Sequence, residues 1–531
     1  MFKMKNEILR YDTKIIQKNI SFEIEVGQHV ALIGRNGVGK TTLLNKIKND
    51  FNAGMLIQSN ENLDLTILEY CLSAHPKLLK IKSDIQYNYL AIEEYIAHGG
   101  YETEHAIVVQ LKKFGFNEKD IDRKLSTLSG GEITKVGIVR LLCQSYDLLI
   151  FDEPTNHIDS DTRNWLIKWM NESKHTIIYA THDRHFINTT AHKIIEMSEE
   201  GLRTFNLNYD EYKKQKDIEY ETNQNLIEKE RKERKKVQSM IQEYKEWFHS
   251  ANSKASVRAP AEQKKVAKIA RRFKTKEQHL LQKEKQSKGK PVNKERKEYI
   301  LKGNQTNIKN FITFNNVSYS IEGNNIFENV NFSISQSEKI CITGKNGSGK
   351  STLLKLILSE IQPTSGNINI NPSISIGYFS QHLEILNLKH TVLEEVLSIK
   401  EMNESYARTI LASFRFKEDL VREKIINLSM GEKCRLTLVK LFFQNPHLLI
   451  LDEPTNYFDI EMQEILENML LKFEGTIIFV THDQHFKEKI ASRIFTIKNK
   501  TVIDSNKYIQ EKVDTENLIK QLYNIPTESE L

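Results

Sequence analysis

HVALIGRNGVGKTTLL, residues 29–44, reads as an apolar run, a glycine-rich turn and the opening of a helix, and the same pattern returns as KICITGKNGSGKSTLL at 339–354. Working outward, three more strings recur: LSGGE (128–132) as LSMGE (428–432), LLIFDEPTN (148–156) as LLILDEPTN (448–456), and ATHD (180–183) as VTHD (480–483). The first pair is offset by 310 residues and the later three by 300. That is a duplicated domain, far beyond the period of a solenoid. HVALIG, DLLIFD and TIIYAT in the first copy, and KICITG, HLLILD and TIIFVT in the second, read as buried parallel strands with helical stretches between them. The pattern predicts two α/β domains in tandem, each a mainly parallel sheet covered on both faces.

The 531 residues leave room for several cored domains, and a 27% charged fraction is ordinary for a folded chain. There is no run of eighteen apolar residues, and MFKMKNEILRYDTK has no signal-peptide core, so no membrane partner is expected. Cys71, Cys143, Cys341 and Cys434 show no CxxC spacing, which fits packed, reduced thiols and a cytoplasmic location.

GxxxxGK[ST] after a strand is a phosphate loop, because its glycines let backbone amides converge on an anion at a helix N-terminus. The two cradles expected to bind nucleotide are Gly34, Asn36, Gly37, Gly39, Lys40, Thr41 and Thr42, and Gly344, Asn346, Gly347, Ser348, Gly349, Lys350, Ser351 and Thr352. Lys40 and Lys350 would pair with the β- and γ-phosphates, and Thr41 and Ser351 would hold Mg²⁺. Asp152 and Asp452 end apolar strands, as metal-supporting carboxylates should, and Glu153 and Glu453 follow where a carboxylate can orient and polarise a water. His182 and His482 lie 29 residues beyond the glutamates, at the end of the next apolar strand, where a neutral imidazole can hydrogen-bond a γ-phosphate. A lone histidine there is more often structural; its repetition argues for chemistry.

In this order the motifs resemble the ATP-binding cassette. The resemblance implies ATP and Mg²⁺ as cofactors, ATPase activity, and catalytic roles for Glu153, Glu453, His182 and His482. It further implies that Gln58 and Gln381 sense Mg²⁺, that Asp159 and Asp459 form D-loops, and that Tyr11 and Tyr319, on the first strand of each half, stack on adenine. Paired cassettes of this family clasp two ATP molecules head to tail. Ser129, Gly130 and Gly131 would then cap the ATP on Lys350, and Ser429 and Gly431 the ATP on Lys40. Met430 replaces the first signature glycine, and NHID (156–159) becomes the bulkier NYFD (456–459), so the two sites are expected to turn over unequally.

Between the cassettes, Glu211 to Ile300 holds 26 Lys and Arg against 14 Asp and Glu, a net of +12 in a chain whose total is +6. Val237, Ile241, Tyr244 and Phe248, then Val266, Ile269, Phe273 and Leu280, recur at helical spacing. They predict two antiparallel helices, the first over Glu211–Trp247 and about 55 Å long at 1.5 Å per residue. A small, polar tip at about 248–262 separates them. Such a charge excess fits nucleic-acid phosphates better than a plain strut.

Two cassettes joined by a basic helical hairpin resemble the ABC-F proteins. The expected division is cassette 1 over 1–208, linker over 209–305 and cassette 2 over 306–531, with the ABC-F arm inserted at about 87–116. The resemblance implies a ribosome-bound monomer whose two cassettes pair within the chain, in contact with ribosomal RNA and P-site tRNA. The tip Ser253, Lys254, Ala255, Ser256, Val257 and Arg258 is similar to that of the antibiotic-resistance branch acting on pleuromutilins, lincosamides and streptogramin A. On that reading the tip protects the peptidyl-transferase centre. The alternatives are a housekeeping ABC-F factor that relieves stalled ribosomes and, from another class, the ATPase subunit of an exporter.

Overall fold

The computed structural model describes residues 1–56, 64–85, 87, 89–156, 158–254, 310–380, 385–400, 402–416 and 418–505, with residues 264, 267, 268, 271, 272, 274, 275 and 278 between them. The chain divides into two compact units, Met1–Tyr209 with Tyr299–Leu531, which holds both cassettes, and Asp210–Glu298.

Cassette 1 opens with β1 (Phe2–Tyr11) and β2 (Lys14–Ile24), an antiparallel pair, followed by β3 (His29–Gly34), α1 (Lys40–Asp50) and β4 (Ala53–Leu56). Helices α2 (Ile67–Leu72), α3 (Pro76–Asp84), α4 (Leu90–Ala97), α5 (Gly100–Lys113) and α6 (Gly130–Leu142) come next. The chain then returns through β5 (Leu148–Asp152), α7 (Ser160–Glu172), β6 (Thr176–Ala180), α8 (Arg184–Thr190), β7 (Lys193–Ser198) and β8 (Gly201–Phe205). The main sheet runs β4-β5-β6-β3-β7-β8, parallel except for the β7–β8 hairpin. Strands β5 and β6 are apolar because both faces are covered, and Leu148 and Ile150 pack with Leu43 and Leu44 of α1.

After the linker helix α9 (Tyr209–Lys254), cassette 2 repeats the plan with β9 (Asn310–Ile321), β10 (Asn324–Ser335), β11 (Lys339–Thr343), α10 (Lys350–Ile357), β12 (Ser365–Ile370) and β13 (Ile376–Phe379). Helices α11 (Val392–Leu397), α12 (Glu404–Ser413), α13 (Glu418–Val421) and α14 (Met430–Phe443) follow. It closes with β14 (Leu448–Asp452), α15 (Ile460–Lys472), β15 (Thr476–Val480), α16 (Gln484–Ile490), β16 (Arg493–Lys498) and β17 (Thr501–Asp504). Its main sheet, β13-β14-β15-β11-β16-β17, has the same order, and a second sheet, β10-β9-β12, is antiparallel. The two α/β domains therefore stand in tandem as the repeat implies.

Three details depart from the sequence reading. The extra helical residues of cassette 1 begin earlier than 87–116. Thr66 and Thr391 both cap a helix through a reciprocal pair with the glutamate three residues on, so α2 matches α11. Phe114 and Phe116 match Phe414 and Phe416, so α5 matches α12, and the unmatched helices are α3 and α4. These carry their own small core of Leu78, Ile81, Ala91 and Tyr95.

The first linker helix is also longer than Glu211–Trp247. Its 46 residues span about 69 Å at 1.5 Å each, and they take in Ser253 and Lys254, which the sequence places in the tip. No glycine or proline interrupts the chain between Tyr209 and Lys254, so nothing stops the helix there. Ala255, Ser256, Val257 and Arg258, and the apolar positions of the second linker segment, lie outside the described residues; those described between 264 and 278 are helical.

The third departure concerns the tyrosines. Tyr11 pairs with Lys14 at the tip of the β1–β2 hairpin, where cassette 2 has Ile321 paired with Asn324. Tyr11 is 66% exposed, whereas Tyr319 sits two residues deeper and packs on the sheet core.

Candidate active site

Each phosphate loop turns into its helix through a left-handed glycine, Gly39 at φ 110° and Gly349 at φ 100°. A Cβ would meet Ile16 at 2.9 Å in the first and Ile326 at 2.8 Å in the second, so both conformation and space require glycine. Lys40 Nζ donates to the Gly34 and Arg35 carbonyls at 2.7 and 3.3 Å, and Lys350 Nζ to the Gly344 and Lys345 carbonyls at 2.9 and 3.2 Å. Burial lowers the pKa of both lysines, against the pull of Glu153 on Lys40 and Glu453 on Lys350. Ser348 Oγ is buried in its loop with no partner; Val38 takes its place in cassette 1. A buried hydroxyl lacking an acceptor, inside a loop that opens a helix, fits a phosphate oxygen.

Thr41 Oγ1 donates to Asp152 Oδ2 at 2.7 Å, bringing together the hydroxyl and carboxylate that a hard cation would need. The corresponding Asp452 is buried, which raises its pKa. Gln58 and Gln381 lie outside the described residues. Thr42 and Thr352 are half-buried on the first turn of their helices, and Gly37 and Gly347 take φ near 79° and 76° within the loops.

Glu153 and Glu453 stand at φ 50° and 47°, a left-handed backbone that costs a β-carbon residue free energy. Hydrogen bonds from the Glu153 amide to the Ala180 carbonyl (2.8 Å) and from the Glu453 amide to the Val480 carbonyl (3.0 Å) hold it. The same bonds tie each glutamate to the strand that delivers its histidine, and His182 and His482 Nε2 lie 3.4 and 3.5 Å from the carboxylates. Burial pushes Glu153 and Glu453 up to about 8, with Lys40 and Lys350 opposing it and Asp152 and Asp452 adding to it. Burial and the neighbouring lysine bring His182 down to about 3 and His482 to about 4, so both imidazoles are neutral at pH 7. His182 Nε2 lies 2.9 Å from Asn36 Oδ1, and the Asn36 amide NH₂ donates to the Tyr457 carbonyl at 3.2 Å. The oxygen therefore faces the ring, and Lys40 Nζ lies 3.3 Å from the same Nε2.

That Asn36–Tyr457 bond already crosses between cassettes. The Asn36 backbone amide also donates to Asp459 Oδ2 at 3.3 Å, and Arg35 pairs with Glu461 at 3.1 Å. On the other side Lys345 pairs with Asp161 at 2.9 Å, and the Asn346 backbone helps to lower the pKa of Asp159. Each phosphate loop thus faces the D-loop of the opposite half. Ser129 and Ser429 cap α6 and α14, their hydroxyls donating to Glu132 and Glu432 at 2.9 and 2.6 Å. Gly130 and Gly131 open α6; a Cβ at Gly131 would strike Thr162 Oγ1 at 2.4 Å, whereas Gly431 has only the Tyr457 carbonyl at 3.1 Å. Met430 is 39% exposed at the first position of α14. The motifs do not single out Arg163, Arg184 or Glu467, which also join the halves. Their one signal is that they break the 300-residue repeat, standing opposite Gln463, Gln484 and Ile167.

Residues 17–156 and 327–456, together half of the chain, match the family model described as ABC transporter. ABC transporter F family member 5 of Arabidopsis thaliana is 29% identical, over 96% of this chain and 78% of that one. Ribosome protection protein VmlR of Bacillus subtilis is 28% identical, over 96% and 86%. The solved complex of an archaeal ribosome recycling factor, aABCE1, with the stalk protein aP1 shares the fold at a TM-score of 0.56 and 15% identity, covering 96% of this chain and 92% of that one. Among the described residues no helix is long and apolar enough to cross a membrane.

Proposed function

The chain belongs to the ABC transporter family, and from that premise we propose that it is a cytoplasmic ATPase of ABC-F type that acts on the ribosome, protecting it from antibiotics bound at the peptidyl-transferase centre. The observation that carries the reading is the pairing of two ATP sites across one interface, in a chain whose inter-cassette segment concentrates a net of +12. Relatives covered over 78% and 86% of their length bear ABC transporter F family and ribosome-protection names.

ATP with Mg²⁺, when bound, supplies Lewis-acid stabilisation of the phosphoryl oxygens. Lys40, Lys350 and the loop amides would bind the phosphates, and Thr41 with Asp152, and Ser351 with Asp452, would hold the metal. Glu153 and Glu453 orient a water and take its proton. His182 and His482, neutral, offer a ring N–H with no added charge. The D-loops of the opposite half border each phosphate loop, and Ser129 and Ser429 would cap the nucleotide from across the interface.

A carboxyl must be ionised to accept a proton, and burial raises both glutamates to about 8. The kcat/KM for ATP, which reports the free enzyme, should therefore rise as pH climbs from about 7 to about 9. A flat profile across that range would remove the glutamates as bases. The same shift has a stability sign. Folded protein retains these protons at a pH where unfolded chains have lost them, so this contribution falls between 4.5 and about 8.

The ribosomal role is tested by expression in a drug-sensitive strain together with ribosome co-sedimentation. Replacing Lys235, Lys236, Lys264 and Lys265 by Ala should weaken binding and lower its salt slope by roughly 0.7–0.9 for each phosphate that is no longer neutralised. Val257→Ala or Arg258→Ala should leave binding nearly intact and abolish protection. Unaltered susceptibility with ribosome binding retained favours a housekeeping factor; sedimentation with membranes instead favours an exporter subunit.

A further inference from the structure

We propose that Arg163, on α7 of cassette 1, is a positioning residue supplied in trans to the second ATP site, where it fixes His482. The proposal rests on the ATPase reading above and adds a residue that none of the motifs contains.

Arg163 is buried, and one of its terminal nitrogens, Nη1, serves two partners. It lies 3.3 Å from Asp183 Oδ2, the carboxylate directly after His182, and it donates to the backbone carbonyl of His482 at 2.7 Å. Asp183 is itself fixed, because its other oxygen caps α8 by accepting from the Phe186 amide. One guanidinium thus joins the two segments that carry the histidines, Thr181–Asp183 and Thr481–Asp483. The His482 peptide is held from both ends: its amide donates to Glu453 Oε2 at 3.3 Å within its own cassette, and its carbonyl accepts from Arg163 of the other. In so buried a place, water does not readily replace a missing donor.

No reciprocal link exists among the described residues. Position 463, which stands where Arg163 stands in the repeat, is Gln463, and its amide NH₂ donates to the Thr455 and Phe458 carbonyls of its own cassette at 3.5 and 3.4 Å. No described residue of cassette 2 reaches the His182 carbonyl. His182 is placed instead by its own phosphate loop, through Asn36. A small displacement of cassette 1 therefore moves Arg163 and Asp183 together and shifts His482 against Glu453. The site on Lys350 is the one whose hydrolytic geometry depends on how the cassettes are docked.

The test measures hydrolysis at each site of the full-length protein, by vanadate trapping of photoreactive ADP and mass spectrometry of the labelled peptides from each cassette. Arg163→Gln, which copies the residue of the other half, should lower trapping at the Lys350 site about tenfold and at the Lys40 site less than twofold. Photolabelling by ATP at both sites should be unchanged. Arg163→Lys keeps a charged donor and should recover most of the loss; it also serves if the glutamine variant fails to fold. An equal fall at both sites with Arg163→Gln, or no fall at the Lys350 site, would overturn the proposal. An unmutated protein that traps no nucleotide at either site would instead refute the ATPase reading.

Discussion

Glu153→Gln combined with Glu453→Gln is expected to cut ATP turnover by about 10³-fold while leaving ATP binding intact, since a positioned general base contributes roughly 10²–10⁴. The binding half of the expectation follows from the structure. Glutamine matches glutamate in shape and is no worse at φ near 50°, so the hydrogen bonds to the Ala180 and Val480 carbonyls survive. With both carboxyls raised to about 8 by burial, their side chains are largely neutral at pH 7, and a neutral amide adds no new charge imbalance next to Lys40 or Lys350. The double variant should therefore close normally and fail to reopen, and its ribosome residence should lengthen. Steady-state turnover and ribosome co-sedimentation check the two halves separately. Turnover within tenfold of the parent would remove the glutamates from the reaction. Abolished turnover with unchanged residence would break the coupling between hydrolysis and release.

Much of this site is legible in the sequence because the chemistry repeats. A glycine loop, a strand-ending Asp-Glu pair and a strand-ending histidine are local signals, and the main sheet brings them together because β3, β5 and β6 are neighbours. The changing offset of the repeat is readable only in part. It starts at 310, widens because cassette 2 inserts β12 between α10 and β13, and closes to 300 because cassette 1 inserts α3 and α4. Placing the arm at about 87–116 puts it too late, because a difference in length between the halves counts inserted residues without locating them. Helix caps and paired phenylalanines do locate them. Tyr11 and Tyr319 match by residue type, but hairpin register matches Tyr11 to Ile321. The cross-cassette residues are illegible for a different reason. They belong to the docking of two domains, and side chains that pair across such an interface follow no period within either one.

Glu467→Ala is expected to be the most damaging single change in the cassette interface, costing about 3–5 kcal/mol, the usual result of removing one member of a buried ion pair. Glu467 is fully buried on α15 and faces cations from both halves. Arg184 of cassette 1, itself 4% exposed, pairs with it directly, and Lys489 and His485 of its own cassette lie at 3.0 and 3.5 Å. Burial alone would raise the Glu467 pKa; hydrogen bonds from His485, Arg184 and Lys489 overcome it and bring the carboxyl down to about 2. Its contribution is therefore complete above 4.5 and disappears as pH falls from there toward 2. Removing the carboxylate strands Arg184 beside only Asp483, 3.9 Å away, whereas Lys489 is exposed enough to turn to solvent. The penalty then comes mainly from the orphaned guanidinium and should be relieved by removing it. Glu467→Ala with Arg184→Leu should recover a large part of the stability, because an apolar pair avoids desolvating either charge. Urea unfolding of the parent, both singles and the double variant gives the cycle. Additive destabilisation in the double variant would show that Glu467 and Arg184 act independently of one another, and a Glu467→Ala protein as stable as the parent would show that this ion cluster contributes nothing to docking and that the loop contacts around Asn36 and Asn346 hold the cassettes.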